Sequence, residues 1–247
     1  MAEFHTSAGA VVPVEIRRRK GARHLRLSLG PSNTIVASIP WHCSANECAR
    51  FVEQNRVWLE AQLDAAPRPM SLTEWFAQSH YLSASGDRFT VFIVASNRAR
   101  ACYSFENHGA DVHLHLPEIE NEASLLKLVR QFAKDALHCR LAYHAKRLGL
   151  SYAKLSVRDQ LSRWGSCSSG RGISLNWRLV LLSPELQDYV ILHELAHLTE
   201  MNHSQRFWAL LDRYDPFRQA HEHALDAATP QLMRVGRRGR DLECKLR

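Results

Sequence analysis

The chain has 247 residues, 45% of them hydrophobic and 23% charged, with a formal net charge of +7. That length buries one large core or two small ones, and the balance is that of an ordinary globular protein, which excludes a fibrous or wholly disordered chain. No apolar run approaches the 18 or so residues of a membrane span, and the N-terminal segment carries Glu3 and places its basic cluster after its apolar residues, the reverse of an export signal. The expected location is the cytoplasm.

In chain order, residues 12–18 and 23–29 flank Arg19-Lys20-Gly21-Ala22, and Leu25, Leu27 and Leu29 alternate, which reads as a β-hairpin. Residues 33–39 supply another short strand before Pro40. Ser44 and Glu47 form a capping box, and Cys48, Phe51, Val52, Leu59 and Leu63 continue it as one helix of about 20 residues. Pro67 and Pro69 break the chain. Residues 89–94, 99–105 and 112–116 then read as a second group of strands.

Residues 117–122 are the expected boundary between halves. Leu125, Val129, Phe132, Ala136, Leu141 and Leu148 share one stripe of a long helix ended by Gly149. Residues 154–158 and 172–176 read as strands, and further helices are expected after Ser183, after Ser204 and around residues 218–228. The reading is α+β: a β-rich region with one helix over residues 1–117, a catalytic domain over 121–232 and a flexible basic tail over 233–247. No internal repeat stands out.

Two features carry little chemistry. Cys43, Cys48, Cys102, Cys139, Cys167 and Cys244 are scattered without paired spacing and read as reduced thiols filling cores. Basic clusters occur at Arg17, Arg18, Arg19, Lys20, Arg23 and Arg26 and again from Arg234 to the C-terminus. They suit a polyanion, but solvated strands and a frayed tail account for such clusters more often, so nucleic acid is an unfavoured partner.

The chemistry is carried by His193-Glu194-Leu195-Ala196-His197 with His203 beyond it. On a helix His193 and His197 stand one turn apart on one face, where both imidazoles reach a single metal ion. Glu194 lies about 100° round that helix, placed to act on the attacking water without being a ligand. Ser183-Pro184-Glu185 reads as an N-cap, a proline at the first helical position and an acid in the first turn. Three protein ligands and one open position describe a catalytic zinc; four would close a structural one. His203 follows His197 by six residues, a spacing that one group of zinc peptidases fills with a glycine midway. Glu200 stands at that position here, and Asn202 is the residue suited to a left-handed turn instead. Glu222, His221 and His223 are the competing third ligands.

Several segments then resemble the YgjP-like metallopeptidase family: residues 155–160, Ser162-Arg163-Trp164-Gly165-Ser166-Cys167-Ser168, residues 173–179, Asp188-Tyr189-Val190 before the pentapeptide, and Met201-Asn202-His203-Ser204 with Phe207-Trp208 after it. The match is dense over roughly residues 150–214 and reaches upstream to Trp41, Phe51, Val52 and Trp58. The resemblance implies a cytoplasmic bacterial or archaeal protein whose zincin-like catalytic half pairs a small antiparallel sheet with the metal helix, related to the SprT and Wss-type peptidases. It implies one zinc ion held by His193, His197 and His203, with Glu194 as the catalytic carboxylate, and Glu200 is no departure from its pattern. Some members are associated with UTP pyrophosphatase activity, so the substrate is expected to be a polypeptide, with a nucleotide as the alternative.

Peptide cleavage needs an extended substrate held over the metal, and the strand at residues 172–176 is the expected edge for it to pair with. Arg163, Trp164 and Asn176 are the candidate substrate-binding residues. The nucleotide alternative rests on Arg158, Arg163, Arg171 and Arg178, whose guanidinium forks suit phosphate oxygens. No phosphate-binding Gly-rich loop accompanies them.

Overall fold

The computed structural model describes residues 2–30, 32–119 and 121–237. The described residues divide into two compact units, 2–70 with Gly236 and Arg237, and 71–235. The basic tail expected over 233–247 lies outside the described residues from 238 on. Its described beginning is packed, with Met233 and Val235 buried.

In the first unit, β1 (Ala2–His5), β2 (Val11–Arg19), β3 (Arg26–Leu29) and β4 (Ile35–Pro40) form a sheet in the order β1-β2-β4-β3. The hairpin expected between residues 12–18 and 23–29 is not formed: β4 lies between the two strands, parallel to β2 and antiparallel to β3. The reason is hydrophobic. Ile35, Ala37 and Ile39 are the most apolar strand face of the unit and take the central, fully buried position. The single helix expected after Ser44 is two, α1 (Ala45–Gln54) and α2 (Arg56–Ala65). The capping box of Ser44 and Glu47 is present, and the break falls where the Asn55 side chain donates to the Phe51 carbonyl and competes with the helical ladder.

The second unit begins with α3 (Leu72–Ser79), a short helix started by a Ser71–Glu74 capping box. A sheet of β5 (Tyr81–Ala84), β6 (Asp87–Ala95), β7 (Cys102–Glu106) and β8 (Asp111–Leu116) follows, ordered β5-β6-β8-β7. Its central pair is parallel and its outer pairs antiparallel, the plan of the first sheet repeated. One face buries Leu82, Val112, Leu114 and Leu116 in a core shared with Leu125, Val129 and Phe132 of α4 (Glu122–Arg147). That shared core is why the division lies at residue 70 and not at 117–122: the second sheet belongs with the metal helix.

Beyond α4, β9 (Lys154–Arg158), β10 (Gly165–Cys167) and β11 (Gly172–Asn176) form a three-stranded sheet ordered β10-β11-β9. It is mixed: β11 runs parallel to β9 and antiparallel to β10, so the wholly antiparallel sheet is corrected. Helices α5 (Pro184–Ala196), α6 (Gln205–Tyr214) and α7 (Arg218–Leu232) complete the unit. No helix among the described residues is long and apolar enough to cross a membrane.

An ion network ties α5 to α4. Arg140 donates Nε to Asp188 Oδ1 at 2.6 Å and a second guanidinium nitrogen to Oδ2, while His144 Nε2 lies 3.0 Å from Oδ1. Burial alone would push the Asp188 carboxyl up, but hydrogen bonds from His144 and Arg140 outweigh it and hold the group below the ordinary aspartate range. Stability from such a depressed carboxylate is present above its unfolded pKa of about 3.9 and is lost as pH falls through the folded value. Asp188→Asn is therefore expected to cost about 3 kcal/mol at pH 7, the low end for a buried pair stripped of one partner. In urea titrations the gap between variant and wild type should shrink below about pH 4. A gap of equal size at pH 3 would remove the carboxylate from the account.

Candidate metal centre

Ser183 caps α5, its hydroxyl accepting from the Leu186 amide, and Pro184 occupies the first turn. The helix ends at Ala196 with His197 as its C-cap, so His193 and His197 stand on its last turn. The chain then turns back through residues 198–204. Asn202 does not take the left-handed conformation expected of it, since it is absent from the positive-φ residues. A close turn is made instead, the Ser204 amide donating to the Asn202 carbonyl at 2.8 Å.

That turn brings His203 to the two helical histidines. His193 Nε2 and His203 Nε2 are 3.1 Å apart, and candidate ligand atoms of His193, His197 and His203 all lie within 4.8 Å of one another. Two nitrogens about 2.0–2.1 Å from a tetrahedral ion lie roughly 3.3–3.4 Å apart, so the three imidazoles are close enough to share one divalent metal ion. No other group of three such side chains is assembled among the described residues. Two of the competing ligands are used elsewhere: His221 bonds Asp215 at 2.7 Å, and Glu222 accepts from Arg218; His223 is exposed and is not part of the histidine group.

The rings are held by their surroundings. His197 Nδ1 donates to the Glu200 carbonyl at 3.0 Å, which leaves Nε2 as the free lone pair, the usual outer-shell arrangement of a metal-binding histidine. Phe207, fully buried on α6, stacks on His197 at 4.5 Å, and Trp208 stacks on His203 at 5.4 Å. Arg218 covers Trp208, its guanidinium 4.9 Å from the ring centroid and held by Asp212 and Glu222. Burial, followed by the neighbouring His197 and His203, pushes His193 down to about 4. It is therefore a neutral donor at pH 7, as metal binding requires.

Glu194 is 5% exposed and its Oε2 has no hydrogen-bond partner among the described residues. Burial pushes its carboxyl up to about 8, opposed only in part by Arg163. A buried carboxyl without a partner, beside three imidazoles, is a site that a divalent ion would complete with positive charge. The carboxyl is wedged under β10: a Cβ on Gly165 would lie 2.5 Å from Oε1 and 2.6 Å from Cγ of Glu194. Gly165 is the functional position missed in the sequence; a glycine flanked by Trp164 and Ser166 carries no local mark of what it must clear.

The candidate substrate residues separate. Arg163 is exposed and interacts electrostatically with Glu194. Trp164 is half-buried, its indole N–H donating to the Thr229 hydroxyl at 2.8 Å. Asn176 is fully buried: its amide nitrogen donates to the carbonyls of Gln160 and Arg163, and its oxygen accepts from the Arg178 amide. Asn176 therefore shapes the loop that carries Arg163 and does not face a cleft. The remaining arginines are not gathered round the triad. Arg178 is buried and paired with Asp159, and Arg171 binds the Ser151 carbonyl. The edge expected at residues 172–176 is also displaced, since β11 is the central strand and β10 the free edge beside Glu194. Cys167 is half-buried, and burial, then Glu194, pushes its thiol up, which suits a structural residue.

A family model described as YgjP-like, metallopeptidase domain, matches residues 23–228. No curated protein matches the chain. Among solved structures it is similar to the metallopeptidase zymogen of Pyrococcus abyssi abylysin, at 23% identity and a TM-score of 0.35, over 38% of this chain and 96% of that one.

Proposed function

This chain belongs to the YgjP-like metallopeptidase family, and from that membership we propose that it is a zinc peptidase of the cytoplasm, holding one zinc ion through His193, His197 and His203. The observation that carries the reading is the convergence of those three imidazoles at the end of α5, next to a buried carboxyl and a free strand edge. The five described cysteines are free thiols, which supports a reducing compartment.

When bound, zinc polarises the scissile carbonyl and lowers the pKa of the attacking water. The rest falls to the chain. An extended polypeptide adds a strand to the free edge of β10, which sets its backbone beside the triad. Glu194 takes the proton from the attacking water and returns it to the leaving amine. Burial between α5 and β10 removes competing solvent from that carboxyl, and Gly165 allows the strand to lie close over it. Arg163, carried by the loop that Asn176 anchors and electrostatically coupled to Glu194, is the residue assigned to contact the substrate.

The test offers zinc-loaded protein denatured polypeptide and, separately, UTP. Peptide cleavage that stops with a chelator and returns with zinc is the expected result, and His203→Ala should hold markedly less zinc by elemental analysis. Pyrophosphate release from UTP without peptide cleavage would overturn the substrate, and unchanged zinc in His203→Ala would move the third ligand elsewhere.

A further inference from the structure

A second concave site lies on the other side of the three-stranded sheet, between α4 and β9. It is a cavity of about 310 Å³, at the small end of the range for ligand sites, and its walls are unusually basic. Lys127, Arg130 and Lys134 line it from one face of α4, spaced i, i+3 and i+7 over about 10 Å of helix. Arg158 lines it from the end of β9, and Trp177 forms its floor.

One carboxylate, Asp159, also lines it, and that charge is already committed. Asp159 accepts from the wholly buried Arg178 at 2.6 Å through one oxygen and from Arg130 through the other. Four cations and one acid thus line the cavity. Asp135, the next acid along α4, is turned to the Tyr103 hydroxyl and the Gln131 amide. Surplus positive charge gathered in one concavity is what an anion with several oxygens satisfies.

We propose that this cavity binds an oligophosphate, either an inorganic chain or the phosphate tail of a nucleotide, through Lys127, Arg130, Lys134 and Arg158. The site is separate from the histidine triad. β9 and β10 lie on opposite sides of β11, so two strand spacings, about 10 Å of sheet, intervene. A nucleotide that binds here is a ligand of the peptidase and not its substrate, and the inference stands whether or not the zinc reading does.

Isothermal titration of the full chain with inorganic tripolyphosphate and with ATP tests it. Both are expected to bind once per chain, more weakly as salt rises from about 50 to 200 mM. Lys127→Glu and Lys134→Glu should each weaken binding about tenfold or more, with melting temperature unchanged, because both side chains are exposed. Lys20→Glu, the same charge change in the first unit, should leave it unaltered. Equal affinity for the two ligands identifies the phosphates alone as the recognised group, and tighter ATP binding identifies a nucleotide. Absence of binding, binding that survives both lysine variants (chelation of the metal included), or binding of an oligonucleotide but not tripolyphosphate would each overturn the proposal.

Discussion

Glu194→Gln is expected to lower peptide hydrolysis by about 10²–10⁴-fold while leaving zinc content at the wild-type level. Glutamine keeps the shape of the side chain and removes its ability to take a proton. It removes no imidazole, so His193, His197 and His203 keep their 4.8 Å grouping. The same substitution makes a second prediction about the metal-free protein. Glu194 is 5% exposed with an unpaired oxygen, and charging it there is costly. Metal-free Glu194→Gln should therefore melt no lower than metal-free wild type. Turnover of a quenched-fluorescent polypeptide, zinc by elemental analysis and thermal melting read the three quantities on one preparation. A fully active, fully loaded variant would place the general base elsewhere.

Gly165→Ala is expected to lose activity about 10²-fold or more in a protein that still folds. The added methyl would sit 2.5–2.8 Å from Oε1, Cγ and Cδ of Glu194, closer than carbon atoms approach in proteins. Gly165 has no positive φ, so what it provides is space and not backbone freedom. Either β10 lifts or the carboxyl turns away. Overpacking of this kind costs about 1–3 kcal/mol of stability, and a displacement of about 1 Å at a reacting group is enough for a hundredfold loss. Zinc content should be unchanged, which separates this effect from loss of a ligand. Wild-type activity in Gly165→Ala would mean that Glu194 has freedom the packing does not show.

The clustering of the helical histidines was legible in the sequence because helix geometry is local. An i, i+4 pair of histidines on a capped helix faces one way whatever surrounds it, and Ser183 and Pro184 start that helix as their residue types require. His203 was placed by its distance from the helix, but its path was not. Asn202 offered a left-handed turn, and the chain closed through the Ser204 amide without one. The side chains round the cluster were less legible. Asn176 lies on the central strand β11, and its amide is spent inside the protein on Gln160, Arg163 and Arg178. A side chain's direction on a strand depends on which neighbours flank it, and that is not a local property.

The strands show the same limit at the scale of the fold. Alternation located β2, β3, β4, β6, β7 and β8 to within a few residues, because period-two burial is written along each strand. Their partners were not located. Residues 12–18 and 23–29 looked like a hairpin, but β4 separates them, and the same order recurs in β5-β6-β8-β7 without a repeat visible in the residues. By itself, then, the amino-acid order determined most of the helices, several of their caps, the approximate place of most strands and the i, i+4 histidine pair with its neighbouring carboxylate, all of which rest on contacts within a few residues; it did not give α3 or the break at Asn55 between α1 and α2. Tertiary structure alone decided the strand order, the assignment of the second sheet to the catalytic unit, the free edge at β10, the clearance at Gly165 and the basic cavity beside β9. Each of those joins segments far apart in the chain, where pairing is set by competition for the buried centre of a sheet and leaves no periodic trace.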